Sequence, residues 1–425
     1  MIKKERLRNS GTTAQEISQL NVKLFQYIFK KIKSGEESIN LRVLGLNNEY
    51  IIELLKNTNE QDEKKALEFI SKISIPLFLP NFRFELNPTR FGFSNPNNKE
   101  AYFSIFSNRN TTNNEELKEL NFMYINLIKS IAQDSKIISS MLFKITEDES
   151  KYISEINIFD IVNIKNHNNP IFEIATLIHK DDDTKIIKAI LEQDVFHTNL
   201  LLRKYAMRAK ECKEIRDCDE GIIYKSTLEG LSPSETQYNY SISYILGKWL
   251  SEEETHPFNI SAILPRISRS SKKKLTNKKG NKPKGSSWIM NSNNDRIIAN
   301  MILGLSSVLY KTKPNNPMDE HFRRKGEEHV YRLMQICEGY HFYMNGLVQD
   351  EKDEKRYLAN SSNGKKINSE RIHFLLNGLE DDEIHTIKCK NDGCGCQAYI
   401  HYKNPRAKEC VFCHKQHEYD TIEDC

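Results

Sequence analysis

Apolar residues recur at helical spacing in several stretches of this chain. Near the start, Ile17, Leu20, Leu24, Ile28 and Ile32 step along one face at three- and four-residue intervals, the period of an amphipathic helix. Thr13-Ala-Gln-Glu16 fits a capping box and sets its expected beginning. A second stripe, Leu117, Leu120, Tyr124, Leu127, Ile128 and Ile131, predicts a helix over 115–132. Between these the pattern changes. Pro76 and Pro80 forbid a helix in ISIPLFLPNFRFEL (73–86), where Phe82, Phe84 and Leu86 alternate as in an edge strand. The Asn- and Thr-rich stretch 87–115 reads as loop. Within 137–195, short apolar runs such as YISEINIFDIV and IFEIATLI read as strands accompanied by one helix. Residues 1–195 are therefore expected to form a mixed α/β domain, whose role the sequence does not name.

From about residue 198 the periodicity is helical. NLLLRKYAMRAKECKEI (199–215) predicts one helix, and a DCD turn follows. Asp219 is placed to cap a second helix over Glu220–Leu228, which Gly230 ends. Helix, short turn, helix is the footprint of a helix-turn-helix, and equally of an ordinary packed hairpin. A block over 241–264 carries Tyr244, Ile245, Trp249 and Leu250 and stops at Pro265. Further stripes predict helices over 294–311 (Ile297, Ile298, Met301, Leu305, Val308, Leu309), 319–344 (Val330, Met334, Cys337) and 369–379 (Ile372, Leu375, Leu376, Leu379). Asn368 or Ser369 would cap the last. These stripes imply a helical bundle over 196–380. The fold class expected overall is α+β.

The cysteines add a third module, 381–425. Of nine in the chain, five crowd into CKNDGCGCQAYIHYKNPRAKECVFC: Cys389, Cys394, Cys396, Cys410 and Cys413. Two close pairs separated by a strand-like insert suit a tetrahedral zinc site, each pair lending two thiolates from a tight turn. The expected ligands are Cys389, Cys394, Cys410 and Cys413. Gly395 would let backbone N–H groups turn toward a thiolate. Cys396 is the alternative to Cys394, and His401 and His414 are lesser substitutes. With every vertex filled by protein, such a zinc is structural and leaves no open position for a reacting water. The module follows the last predicted helix with no flexible linker and is expected to dock rigidly on the bundle.

Charge then changes the picture. The net charge of the 425 residues is only +4, but Arg266, Arg269, Lys272, Lys273, Lys274, Lys278, Lys279, Lys282 and Lys284 fall in nineteen residues that contain no acid. Such a segment repels itself and has little to bury. It suits phosphate-backbone binding by counterion release. Lys225, Ser226 and Thr227 on the second predicted helix are candidates to meet base edges, and Arg203, Lys204, Arg208 and Lys210 on the first add charge. No run of about 18 apolar residues is present, and the first residues, MIKKERLRNS, precede no apolar stretch. The expectation is a cytoplasmic protein with no membrane partner and with reduced thiols.

Asp181, Asp182 and Asp183, with Glu173 or Glu192, could in principle hold a divalent metal for a nuclease. Successive acids point different ways, however, and helix capping before Thr184 explains them. No H-x-E, H-E-x-x-H, P-loop, G-x-S-x-G or G-x-G-x-x-G pattern occurs. The chain is therefore expected not to be an enzyme.

Three stretches resemble the FlhC family of zinc-containing transcriptional activators. They are YAMRAKECKEIRDCDEGIIYKSTLEGLSPSETQ (205–237), KKLTNKKGNKPKGSSWIMNSNNDRIIANMILGLSSVLYKT (273–312) and INSERIHFLLNGLEDDEIHTIKCKNDGCGCQAYIHYKNPRAKECVFC (367–413). They are similar, in order, to that family's helix-turn-helix with its G-x-S-P loop, its Pro-Lys-Gly loop and following helix, and its last helix with the zinc site. Four residues separate the first two cysteines here, where the family usually has two. The resemblance covers the C-terminal half and implies a DNA-binding regulator acting with a second subunit. The alternative is a zinc-ribbon subunit of a larger phage or mobile-element assembly, a polymerase or a CRISPR-type effector, binding RNA. The unassigned N-terminal region favours that alternative. Either way a protein partner or a homo-oligomer is expected.

Overall fold

The computed structural model describes residues 10–35, 44, 46, 49–80, 83–84, 103–104, 114–156, 161–162, 170–174, 180–207, 248, 250–251, 260, 263, 285–290, 292–309, 327–348, 367–381, 383–389, 391, 394, 397–404 and 409–415. The chain divides into two compact units. One comprises Arg6–Tyr205 with Phe342–Lys352, and the other is built on Ala206–His341 and Asp353–Cys425. Among the described residues the protein is mostly helical with a few small antiparallel strand pairs, an α+β arrangement.

In the first unit, helices α1 (Ser10–Lys33), α2 (Glu49–Lys56) and α3 (Glu60–Ile70) precede strand β1 (Phe78–Pro80). The expected stripe of α1 is its buried face, Ile17 to Ile32 each being at most 3% exposed. The helix starts a turn earlier than the capping box implies, so Thr13 lies inside it and is buried rather than capping it. Short strands β2 (Arg83–Phe84) and β3 (Phe103–Ser104) pair with each other. Helix α4 (Glu115–Asp134) begins where Asn114 accepts the Leu117 N–H, and its whole predicted stripe is buried.

The region expected to hold strands is instead chiefly helical: α5 (Lys136–Phe143), α6 (Glu147–Glu155), strand β4 (Phe172–Ile174) and α7 (Lys180–Leu191). Helix α5 is buried on every side from Ile137 to Phe143, so it has no polar face to show a 3.6-residue period. Helix α6 starts at a true capping box. Thr146 Oγ1 accepts the Glu149 N–H at 3.1 Å, and Glu149 accepts the Thr146 N–H at 2.6 Å. The strand expected in IFEIATLI is present as β4, antiparallel to β1. Asp181–Asp183 fall in the first turn of α7.

Phe25, Phe78, Phe172, Tyr124 and Phe143 form a chain of ring contacts with centroids 5.3–6.1 Å apart. Buried side-chain amides close the irregular backbone between elements. Asn21 donates to the carbonyls of Ile73 and Ile75 and accepts the Leu77 N–H. Asn121 accepts the Ile171 N–H. Helix α8 (Val195–Met207) closes this stretch of chain.

The second unit holds a 3₁₀ turn over Gly285–Met290, helix α9 (Asn293–Ser306) with a further 3₁₀ turn Ser307–Leu309, helix α10 (Glu327–Asn345, of which residues up to His341 belong here), helix α11 (Ser369–Glu380), and the hairpin β5 (Ile384–Lys388) with β6 (Gln397–His401). The predicted helices over 294–311, 319–344 and 369–379 correspond to α9, α10 and α11, with Asn368 rather than Ser369 as the cap of α11. Ile297, Met334 and Leu379 are only half-buried. The 3₁₀ turn and the hairpin pack on α9 and α11. Gly378 makes this fit possible, since a Cβ there would stand 2.8 Å from Ser286 Cβ and 3.0 Å from Ile384 Cδ1. Trp288 is buried, donates to the Arg371 carbonyl at 3.3 Å and carries the Arg371 guanidinium 5.2 Å from its ring. No helix among the described residues is long and apolar enough to cross a membrane.

Between α10 and α11, His329 Nε2 meets His373 Nδ1 at 3.0 Å, and Asn377 Nδ2 meets the far nitrogen of His373 at 3.2 Å. Burial, aided by Arg332, lowers the His329 pKa to about 4. The folded state thus resists a proton that the unfolded chain accepts at about 6.5. Between those values the unfolded chain binds more protons, so stability falls as pH drops from about 6.5 to about 4 and levels off below. The contribution is at most about 3 kcal/mol. Denaturant unfolding at a series of pH values should show this slope in the parent protein and lose it in His329→Gln. An unchanged slope in the variant would place the effect elsewhere.

Candidate metal centre

Strand β5 delivers Cys389 at its end. A turn in which the Cys394 N–H donates to the Asn391 carbonyl at 3.0 Å then brings Cys394 back. Beyond β6 the chain returns at 409–415. There the His414 N–H donates to the Cys410 carbonyl and the Cys410 N–H to the Lys415 carbonyl, both at 3.1 Å. His414 sits in the left-handed region at φ 56° and turns this second loop. The two loops face each other, and the four sulfurs of Cys389, Cys394, Cys410 and Cys413 lie within 4.8 Å of one another.

Cys389 and Cys413 stand 3.7 Å apart at sulfur, and Cys394 and Cys410 3.8 Å apart. Four sulfurs at about 2.3 Å from one ion have edges of about 3.8 Å, so the cluster has the size of a tetrahedral thiolate site. A disulfide needs about 2.05 Å, and all four are free thiols. Cys389, Cys394 and Cys410 are at most 5% exposed. Burial pushes the Cys389 thiol up, with Cys410 and Cys413 adding to the rise. A bound cation reverses that logic and draws off the protons. Two N–H donors face these sulfurs: the Phe412 N–H points at Cys410 Sγ at 3.4 Å, and Asn391 Nδ2 at Cys413 Sγ at 3.3 Å. The cluster is therefore a possible metal site built from protein sulfur alone.

Cys394 joins the cluster, whereas Cys396 lies outside the described residues. Both histidines hold other contacts. His414 meets Glu409 Oε1 at 3.2 Å and Asn293 at 3.4 Å. His401 is 2% exposed, and its Nδ1 accepts the Lys403 N–H at 3.1 Å. The neutral ring therefore carries its proton on Nε2, which faces Ser286 Oγ at 3.3 Å, while Ser286 donates to Glu383. Burial lowers the His401 pKa against the pull of Glu383. Serine, histidine and glutamate meet here, yet the histidine nitrogen facing the serine is a donor. It cannot take the serine proton as a general base must. The cluster ties β6 to the 3₁₀ turn.

Two residues that the sequence reading missed hold the hairpin on α9. Asn300, 0% exposed, donates to the Tyr399 carbonyl at 3.0 Å and accepts the Tyr399 N–H at 2.5 Å, so its amide completes the outer edge of β6. Arg296, 3% exposed, donates to the Glu409 carbonyl at 2.7 Å, next to Cys410. The available signal was two polar residues four apart on a helix whose neighbouring positions are apolar.

The nucleic-acid candidates fare differently. Arg266, Arg269, Lys272, Lys273, Lys274, Lys278, Lys279, Lys282, Lys284 and Lys225 lie outside the described residues, as does most of the expected helix-turn-helix. Arg203 and Lys204, expected to add to that charge, are 8% and 2% exposed on a helix buried throughout 201–207 and present little of it at the surface. Glu192 pairs with Lys188 at 3.8 Å.

Asn300→Ala leaves a buried N–H and carbonyl of Tyr399 without their partner. The expected cost is about 3 kcal/mol, read as amide hydrogen exchange at Tyr399 about a hundredfold faster. Unchanged protection would mean that the amide clasp does not hold the strand. No protein-family model, curated protein or solved structure matches the chain, so its chemistry is read from these four sulfurs and their surroundings.

Proposed function

We propose that this chain is a zinc-containing, non-enzymatic nucleic-acid-binding protein, a DNA-binding regulator that works in a complex with a protein partner or a second copy. The convergence of Cys389, Cys394, Cys410 and Cys413 carries the reading. Four buried thiols on two facing loops suit a soft, tetrahedral ion, and zinc is the redox-inert ion of that kind. With four sulfurs the coordination is closed, so the ion supports structure rather than activating water. It makes the hairpin a rigid ribbon on α9 and α11. Reduced thiols fit a cytoplasmic setting.

Nucleic acid enters through the nine uncompensated cations of 266–284, which directly precede the 3₁₀ turn at Gly285–Met290. That turn packs on β6. A cationic tether rooted against a metal-stapled ribbon suits a polyanion. The similarity of 205–237, 273–312 and 367–413 to FlhC-type activators supports duplex DNA as the target. The helical unit of Arg6–Tyr205, which that similarity leaves out, favours the second reading, a ribbon subunit of an RNA-processing assembly.

Fluorescence anisotropy with labelled duplex DNA and single-stranded RNA over a salt series tests both readings. Duplex DNA should bind more tightly, with log affinity falling linearly against log salt concentration. Replacing Lys272, Lys273, Lys274, Lys278 and Lys279 with alanine should flatten that slope by up to about 4.5 and weaken low-salt binding at least about tenfold. Preference for single-stranded RNA selects the second reading. An unaltered slope removes the arm as a phosphate binder.

A further inference from the structure

The four sulfurs are not equivalent. Cys389, Cys394 and Cys410 are 4%, 5% and 1% exposed, whereas Cys413 is only half-buried and stands at the rim. Two contacts join one sulfur from either loop, and in one of them the rim sulfur of Cys413 stands 3.7 Å from that of Cys389. An oxidant arriving from solvent meets Cys413 first, and rotation about the side-chain bonds of two adjacent thiols can close the gap to a disulfide.

We propose that Cys413 is an oxidation site with Cys389 as its resolving partner, so that a peroxide converts this pair to a disulfide and dismantles the metal site. A Cys413 thiolate attacks one peroxide oxygen. The S–O bond forms, the O–O bond breaks, and hydroxide leaves, giving a sulfenic acid. The Cys389 thiolate then attacks that sulfur, and a second hydroxide departs as the S–S bond forms. Each sulfur gives up one electron, and the two peroxide oxygens accept them. A thiol reductant reverses the step. Two of four ligands are lost at once, and the remaining pair, Cys394 and Cys410, cannot close a tetrahedron. Asn391 tempers the reaction, because its side-chain N–H occupies a lone pair of Cys413 Sγ at 3.3 Å. The pairing follows from the sulfur geometry alone, and only the loss of the ion rests on the zinc reading above.

The test treats full-length zinc-loaded protein with one to two equivalents of hydrogen peroxide, blocks remaining thiols by alkylation, and maps disulfides by peptide mass spectrometry. A chromogenic chelator follows zinc release. Cys389–Cys413 should be the first bridge, with one zinc released per bridge formed, and dithiothreitol should restore both thiols and zinc uptake. Asn391→Ala, which keeps all four sulfurs and the backbone turn, should release zinc about fivefold faster. A first bridge of Cys394–Cys410 or Cys410–Cys413, a bridge to Cys396, or an unchanged rate in Asn391→Ala would overturn the proposal. If the purified protein carries no zinc, the metal reading fails by itself, while the map of the free thiols still decides the pairing.

Discussion

A hairpin of two five-residue strands is marginal in water, and the segment from Ile384 to Lys415 is too short to bury a core of its own. Something must join its far ends. The four sulfurs of Cys389, Cys394, Cys410 and Cys413 stand where a single ion could close the loop after β5 onto the loop at 410–413. A metal held only by the folded arrangement contributes its binding free energy to folding. On that account the arrangement of this end of the molecule depends on the four sulfurs being held together.

Closure alone would leave a small body attached by one strand. The hairpin is instead fastened on polar terms. Asn300 serves as a neighbouring strand for Tyr399, Arg296 holds the Glu409 carbonyl beside Cys410, and His401, Ser286 and Glu383 link β6 to the turn at Gly285–Met290. Each group is costly to bury without its partner, so the set specifies one docked position where apolar packing would tolerate several. That same turn follows the basic run of 266–284 in sequence. The sulfur cluster and the docking contacts thus belong to one stretch of structure, from the turn at Gly285–Met290 to the loop at 409–415.

What could be read from the sequence divides along physical lines. Helices with one wet face announced themselves, as the stripes of α1 and α4 did, and the convergence of the four cysteines was legible because close pairs on either side of a short insert can be brought together. Helix α5 was not, because a segment buried on all sides has no alternation to detect. The start of α6 is written in Thr146 and Glu149, but the apolar run behind it has the spacing of a strand. Arg203 and Lys204 count as added surface charge in the sequence, but the environment of their helix buries them. Asn300 depends on a strand 99 residues away in sequence, and no local pattern records that partner.

X-ray absorption at the zinc edge of the purified, unsupplemented protein measures the closure itself. A single shell of four sulfurs at about 2.3 Å is expected, with one zinc per chain. A shell containing nitrogen or oxygen, or the absence of zinc from protein that is nonetheless folded through the β5–β6 hairpin, would contradict it.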